Sequence, residues 1–139
     1  MIILDTNVVS EPLKPAPNST VVAWLNAQDP RSLFITSISL AELLSGLETL
    51  PAGKRRQALT HALNVQLMAL FADRVLNFDA RCAAAFAAVQ AQAQRVGSPV
   101  SFADGCIAAI AQAHGFAVAT RNLRDFQGTG IALIDPWQG

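Results

Sequence analysis

Asp5 ends the apolar run Met1–Leu4, Glu42 closes Ser39-Leu40-Ala41-Glu42, and Asp104 closes Ser101-Phe102-Ala103-Asp104. Asn122 and Asp125 follow the apolar stretch that stops at Thr120. The chain has only ten carboxylates, so several embedded in apolar sequence demand a reason. Carboxylates held close together repel, and they stay ionised together only beside a divalent cation; a set of oxygen ligands selects Mg²⁺ or Mn²⁺ over zinc. That equipment suits phosphodiester hydrolysis, because the cation acidifies water, neutralises a phosphate and stabilises the leaving oxygen without a histidine or covalent nucleophile.

Each acid also has a plainer reading. Ser39 to Glu42 fits the S-x-x-E capping box and Ser101 to Asp104 its looser S-x-x-D form, in which the acid merely bonds back to the backbone. Asp5 fits an Asx-turn with Asn7. On the residues alone both readings stay open; what capping leaves unexplained is why these acids fall where two strand ends and two helix starts would meet. Near a helix start the dipole favours the ionised form, so Glu42 and Asp104 are expected to be charged at neutral pH. Asp79 reads as a helix cap. His61 and His114 lie where a polar helix face and a helix C-terminus account for them. Gly97-Ser98-Pro99 is no phosphate cradle, and no G-x-x-x-x-G-K pattern occurs.

The elements that must position the acids alternate between strand and helix. Met1–Leu4 reads as a buried strand stopping in a polar turn, Leu33–Thr36 as a second, Val75–Phe78 as a third, Phe116–Ala119 as a fourth and Ile131–Ile134 as a last short one. Pro12, Pro15 and Pro17 keep the chain after the first strand irregular. Asn18 or Ser19 caps a helix carrying Val21, Val22, Trp24 and Leu25. Leu40, Leu43, Leu44 and Leu47 mark a second helix, and Lys54–Phe71 a third with Leu59, Leu63, Leu67 and Leu70 on one side. An alanine-rich helix runs from Asp79 to about Val96, and another from Ser101 to His114, stopped by Gly115. The pattern predicts an α/β fold: a short, mostly parallel central sheet flanked by helices, residues 1–139 as a single domain, with ligands at the carboxyl ends of the strands. Asp5, Asn122 and Asp125 then share one sheet edge.

Composition narrows the function. Apolar residues make up 52% and charged ones 14%, which excludes a disordered chain. No apolar run is long enough to span a membrane, and no basic leader precedes the first strand. Ten basic and ten acidic residues cancel, so bulk electrostatic binding of nucleic acid is excluded and any contact must be local. Arg121 and Arg124, flanking the acids, are the candidates to meet a phosphate backbone, whereas Lys54, Arg55 and Arg56 read as solvated surface. Cys82 and Cys106 lack zinc spacing and read as packing residues in a reducing, cytoplasmic compartment.

Taken together, Met1-Ile2-Ile3-Leu4-Asp5-Thr6-Asn7-Val8-Val9-Ser10-Glu11-Pro12, Ser39-Leu40-Ala41-Glu42-Leu43 with Gly46, Ala103-Asp104-Gly105-Cys106-Ile107-Ala108-Ala109, and Val118-Ala119-Thr120-Arg121-Asn122 with Asp125-Phe126 resemble, in order and spacing, the PIN-domain toxins of the VapC type. The resemblance spans essentially the whole chain. It implies a PIN fold and a metal-dependent endoribonuclease in which Asp5, Glu42 and Asp104 are catalytic and hold Mg²⁺ or Mn²⁺. Asn122 stands where some members carry Asp; it offers a neutral carbonyl oxygen, with Asp125 able to supply the fourth charge if a helical turn brings it round. Thr6, Asn7 and Thr120 would orient the carboxylates. The resemblance further implies an RNA substrate, a cognate antitoxin that blocks the cleft and binds operator DNA through its other end, and a homodimer or a dimer of toxin–antitoxin heterodimers. Two other readings compete: a PIN-like binding module acting with its antitoxin as a DNA-binding repressor complex without efficient turnover, and a haloacid-dehalogenase-like phosphatase. The phosphatase requires a second acid at position 7, where this chain has Asn.

Overall fold

In the computed structural model, which describes residues 1–139, five strands form one sheet in the order β3-β2-β1-β4-β5. They are β1 Ile2–Leu4, β2 Leu33–Thr36, β3 Val75–Leu76, β4 Ala117–Ala119 and β5 Leu133–Ile134. Every pairing is parallel, with Ile3 opposite Phe34 on one side and Val118 on the other. Successive side chains of a strand point to opposite faces, and the two cores follow that alternation. Ile3 and Val118 join Val89, Ile107, Ile110 and Phe126 on one face; Leu4 and Ala119 join Val8, Leu33, Ile35 and Leu63 on the other.

The helices are α1 Thr6–Ser10, α2 Ser19–Ala27, α3 Ser37–Glu48, α4 Lys54–His61, α5 Met68–Leu70, α6 Ala80–Arg95, α7 Phe102–His114 and α8 Leu123–Phe126. Asn18 caps α2, Asp79 caps α6 and Ser101 caps α7, as the sequence predicts, and Gly115 ends α7 in the left-handed conformation at φ 71°.

Three expectations need correction. The polar turn after β1 is a helix: Asp5 caps α1, Pro12 sits inside the short 3₁₀ turn Glu11–Leu13 that follows, and only Pro15 and Pro17 lie in the irregular chain beyond it. Lys54–Phe71 is not one regular helix, since a π-helical stretch, Ala62–Leu67, joins α4 to α5. Leu63, Leu67 and Phe71 are buried there while Leu70 is 52% exposed. Residues four apart drift round an α-helix of 3.6 residues per turn; the wider turn takes up the drift and moves the buried face from Leu70 to Phe71. The outer strands are also shorter than predicted, two residues each in β3 and β5.

Two glycines separate packing from propensity. After α8 the chain turns through Gln127–Thr129, and a Cβ on Gly128 would stand 2.5 Å from the backbone oxygen of Ser98. Gly46, inside α3, has nothing within 4 Å of such an atom. Gly128→Ala is therefore expected to destabilise by about 1–3 kcal/mol, and Gly46→Ala to stabilise by about 0.5–1 kcal/mol. Urea unfolding of both variants checks this; equal effects would refute the close approach at Gly128.

Candidate active site

Asp5 is 5% exposed and held by three donors. Its Oδ1 accepts the Thr6 backbone N–H at 2.8 Å; its Oδ2 accepts the Thr120 hydroxyl at 2.8 Å and the Asn7 amide at 3.4 Å. Thr120 Oγ1 in turn accepts the Asn122 N–H at 3.0 Å, and Asn7 Oδ1 the Arg121 N–H at 3.2 Å. The segments following β1 and β4 are thus tied together through side chains, next to the ladder bond from Asp5 N–H to Ala119 O at 2.9 Å. Burial raises the Asp5 carboxyl above its ordinary range, the three donors oppose that shift, and the charge of Asp125 adds to it.

Glu42 does not form a capping box. Thr36 caps α3, its Oγ1 accepting the Ser39 N–H at 3.0 Å, and Ser39 is fully buried. Glu42 therefore lies in the second turn, not the first. Its Oε1 accepts the Thr6 hydroxyl at 2.9 Å. One residue, Thr6, thus joins the two acids, donating its backbone N–H to Asp5 and its hydroxyl to Glu42.

Asp104 does stand in the first turn of α7, its N–H bonded to Ser101 Oγ at 3.2 Å. Its carboxyl is pushed up to about 6, chiefly by burial; the Ser101 hydroxyl opposes this, and the charges of Asp5, Asp125 and Glu42 add to it. With a value of about 6 Asp104 is still mostly ionised at neutral pH, as the sequence predicts, although burial and like charges outweigh the helix dipole and hold it above the ordinary carboxylate range.

Asp125 reaches the group because Asn122 opens α8, its carbonyl accepting the Asp125 N–H at 3.0 Å. Asp125 adds like charge at both Asp5 and Asp104. Asn122 is exposed and makes no side-chain cap bond. Arg124 is exposed, and Arg121 lays its guanidinium over the Trp137 ring, 5.1 Å from the centroid, with its charge acting on Glu11. Glu11, which the sequence leaves without a role, is 4% exposed; it binds the Asn18 N–H at 3.0 Å and Lys14 Nζ at 2.9 Å, anchoring the start of α2.

The charges of Asp5, Glu42 and Asp125 thus all act on Asp104 at the carboxyl edge of the sheet. No three of these carboxylates stand within reach of one shared ion as placed. The donor set fits a small hard cation that keeps most of its own water and takes one or two direct carboxylates, the rest bonding through water.

The order of strands and the acids at their carboxyl ends define an α/β protein of the metal-assisted nuclease class. The chain belongs to the PIN-domain family, whose profile matches residues 2–131. It is 44% identical over 138 residues to the VapC ribonuclease Y4jK of Sinorhizobium fredii, and 42% identical over 137 residues to toxin FitB of Neisseria gonorrhoeae, covering 99% of both chains in each case. The solved structure of FitAcB from Neisseria gonorrhoeae superposes with a TM-score of 0.95 at 41% identity, covering both chains completely. Ribonucleases of this domain family generally depend on a divalent metal.

Asp104 carries a testable electrostatic consequence. A carboxyl whose folded-state value lies above the ordinary 3.8 favours folding when protonated, so its contribution falls as pH rises through about 4 to 6 and is level above. In EDTA, Asp104→Asn is expected to raise stability above pH ~7 by on the order of 1 kcal/mol after solvent screening, with no gain near pH ~4. Thermal melts across this range check it; an equal gain at every pH would show that charge is not the cause.

Proposed function

We propose that this chain is the toxin of a type II toxin–antitoxin pair, an endoribonuclease dependent on Mg²⁺ or Mn²⁺, and that residues 1–139 act as one PIN domain. The gathering of Asp5 and Glu42 on Thr6, with Asp104 in the field of both and of Asp125 at a single sheet edge, carries this reading. Relatives described as a VapC ribonuclease, a tRNA(fMet)-specific endonuclease of Salmonella typhimurium and toxin FitB support the activity. Solved FitAB bound to a DNA fragment supports a partner antitoxin that contacts operator DNA. No helix is long and apolar enough to cross a membrane; action in the cytoplasm and homodimer formation are part of this proposal.

Asp5, Glu42 and Asp104 would hold the cation, with Asp125 as the fourth carboxylate and Asn122 at the rim. When bound, the cation supplies charge for the phosphodiester and makes water a better nucleophile at neutral pH. The protein's own part is orientation and field. Thr120, Thr6 and Asn7 fix both Asp5 oxygens; Thr6 also fixes Glu42; Ser101 steadies Asp104. Four negative charges repel a bare phosphate backbone, so RNA approaches productively only once that field is compensated. Arg124, exposed beside α8, is placed to meet a flanking phosphate; Arg121 must first leave Trp137.

The test is cleavage of total cellular RNA by purified, antitoxin-free chain with Mg²⁺, Mn²⁺ or EDTA. Discrete fragments are expected with metal only, and none from Asp5→Asn. Asp125→Asn should slow cleavage roughly 10-fold or more, by analogy with groups that orient a metal site, and Asn122→Ala less. Cleavage persisting in EDTA or in Asp5→Asn would overturn the mechanism. Absence of cleavage with either metal would favour the repressor module.

A further inference from the structure

Phe102 is 73% exposed, the most of any large apolar residue in the chain, and it opens the helix whose first turn carries Asp104. A phenyl ring in water forgoes the burial that drives apolar side chains inward, yet this one is not loose. Its ring leans on Phe86 at a tilt of 57° with centroids 5.3 Å apart, and Phe86 meets Phe78 edge-on at 6.3 Å. Phe78 packs against the core beneath α6 and α7. Gly105 is part of the same arrangement: a Cβ there would lie 2.9 Å from Phe86 Cε2 and push against its ring, so the glycine lets Phe86 pack closely against the first turn of α7. The ladder Phe78–Phe86–Phe102 runs from the core to solvent and ends in a bare ring within one helical turn of an acid of the site.

We propose that Phe102 is a stacking platform for a base of the RNA strand cut at the acidic site, an inference that rests on the ribonuclease reading above. The chain has no net charge, and its site is a cluster of anions, so bulk attraction cannot hold the substrate. Stacking can: every base offers a π-face, and the contact needs no sequence-specific hydrogen bond. Phe102 and Asp104 are two residues apart on α7, so their side chains leave the helix on different sides, and a strand rather than one nucleotide meets both: a base lies on the ring, and a phosphodiester further along the strand reaches the carboxylates. Holding the ring in advance by Phe86 removes part of the ordering cost of binding.

The experiment uses the full chain carrying Asp5→Asn, which prevents turnover, and an RNA oligonucleotide containing a fluorescent adenine analogue, in Mg²⁺. Anisotropy reads affinity, and quenching reads stacking. Phe102→Ala and Phe102→Leu are expected to weaken binding about 5- to 150-fold, the range for one lost base–aromatic stack, and to lose the quenching. Phe102→Trp should restore both, and all three variants should remain folded at the assay temperature by thermal melt, Phe102→Ala and Phe102→Leu losing only the contact with Phe86. Unchanged affinity and quenching in Phe102→Ala would overturn the proposal. So would intact RNA binding with loss of self-association or antitoxin capture, which would assign the ring to a protein partner. Metal-dependent cleavage by the wild-type chain is measured alongside. Cleavage with no Phe102 effect sinks the stacking role alone, whereas neither cleavage nor RNA binding sinks the ribonuclease reading and this inference with it.

Discussion

The Asp5 carboxylate is the point on which the two halves of the molecule meet. It directly follows the first strand, caps the helix that comes next, and accepts a hydroxyl from a residue 115 positions further along the chain. A buried carboxylate carries a large desolvation penalty unless its oxygens find donors. Here they do, and no buried side-chain nitrogen or oxygen in the chain lacks a hydrogen-bond partner. The donors that stabilise Asp5 are also those that fix where its remaining lone pairs point. Local capping, sheet closure and orientation of an acidic group are therefore one network, and loosening any member disturbs the others.

The rest of the fold brings further acids to that network without burying them as deeply. Parallel strands put their ends on one edge: Thr36, the last residue of β2, begins α3, while α7 begins at Ser101 after α6. The acids sit one or two turns in. Like charges so placed work against folding, as the raised Asp104 carboxyl records, and the two cores on either face of the sheet supply the stability that tolerates it. Gly128, by letting its turn rest on Ser98, helps fix α8 and hence Asp125.

Much of this was readable from residue order. Short apolar runs ending in polar residues marked β1, β2 and β4 to within a residue, because buried parallel strands carry no alternation to mislead. The caps at Asn18, Asp79 and Ser101 were legible for the same local reason. Glu42 was harder, since S-x-x-E has one meaning if the helix begins at Ser39 and another if Thr36 takes the cap. Only the position of β2's last residue decides. The helix at Thr6–Ser10 was hidden because Asp-Thr-Asn serves a turn and an N-cap equally well, and the π-helical stretch because its cause is a core three-dimensional in origin. That Phe102 faces water while Phe71 does not is likewise a matter of which neighbours arrive. The family resemblance ordered the acids, but the bonds from Thr6 to both Asp5 and Glu42 came from the structure.

The 115-residue separation between Asp5 and Thr120 also bears on when the site can exist. During synthesis the chain emerges amino end first and folds as it becomes available, and contacts this distant in sequence form late. Asp5 and Glu42 leave the ribosome early, but β4, Thr120 and Asp125 come from the last quarter of the chain. Until they arrive, β1 lacks a neighbour on one side and the acids have no common edge. A protein able to damage RNA is thereby built so that unfinished copies, still attached to the translation machinery, lack an assembled site.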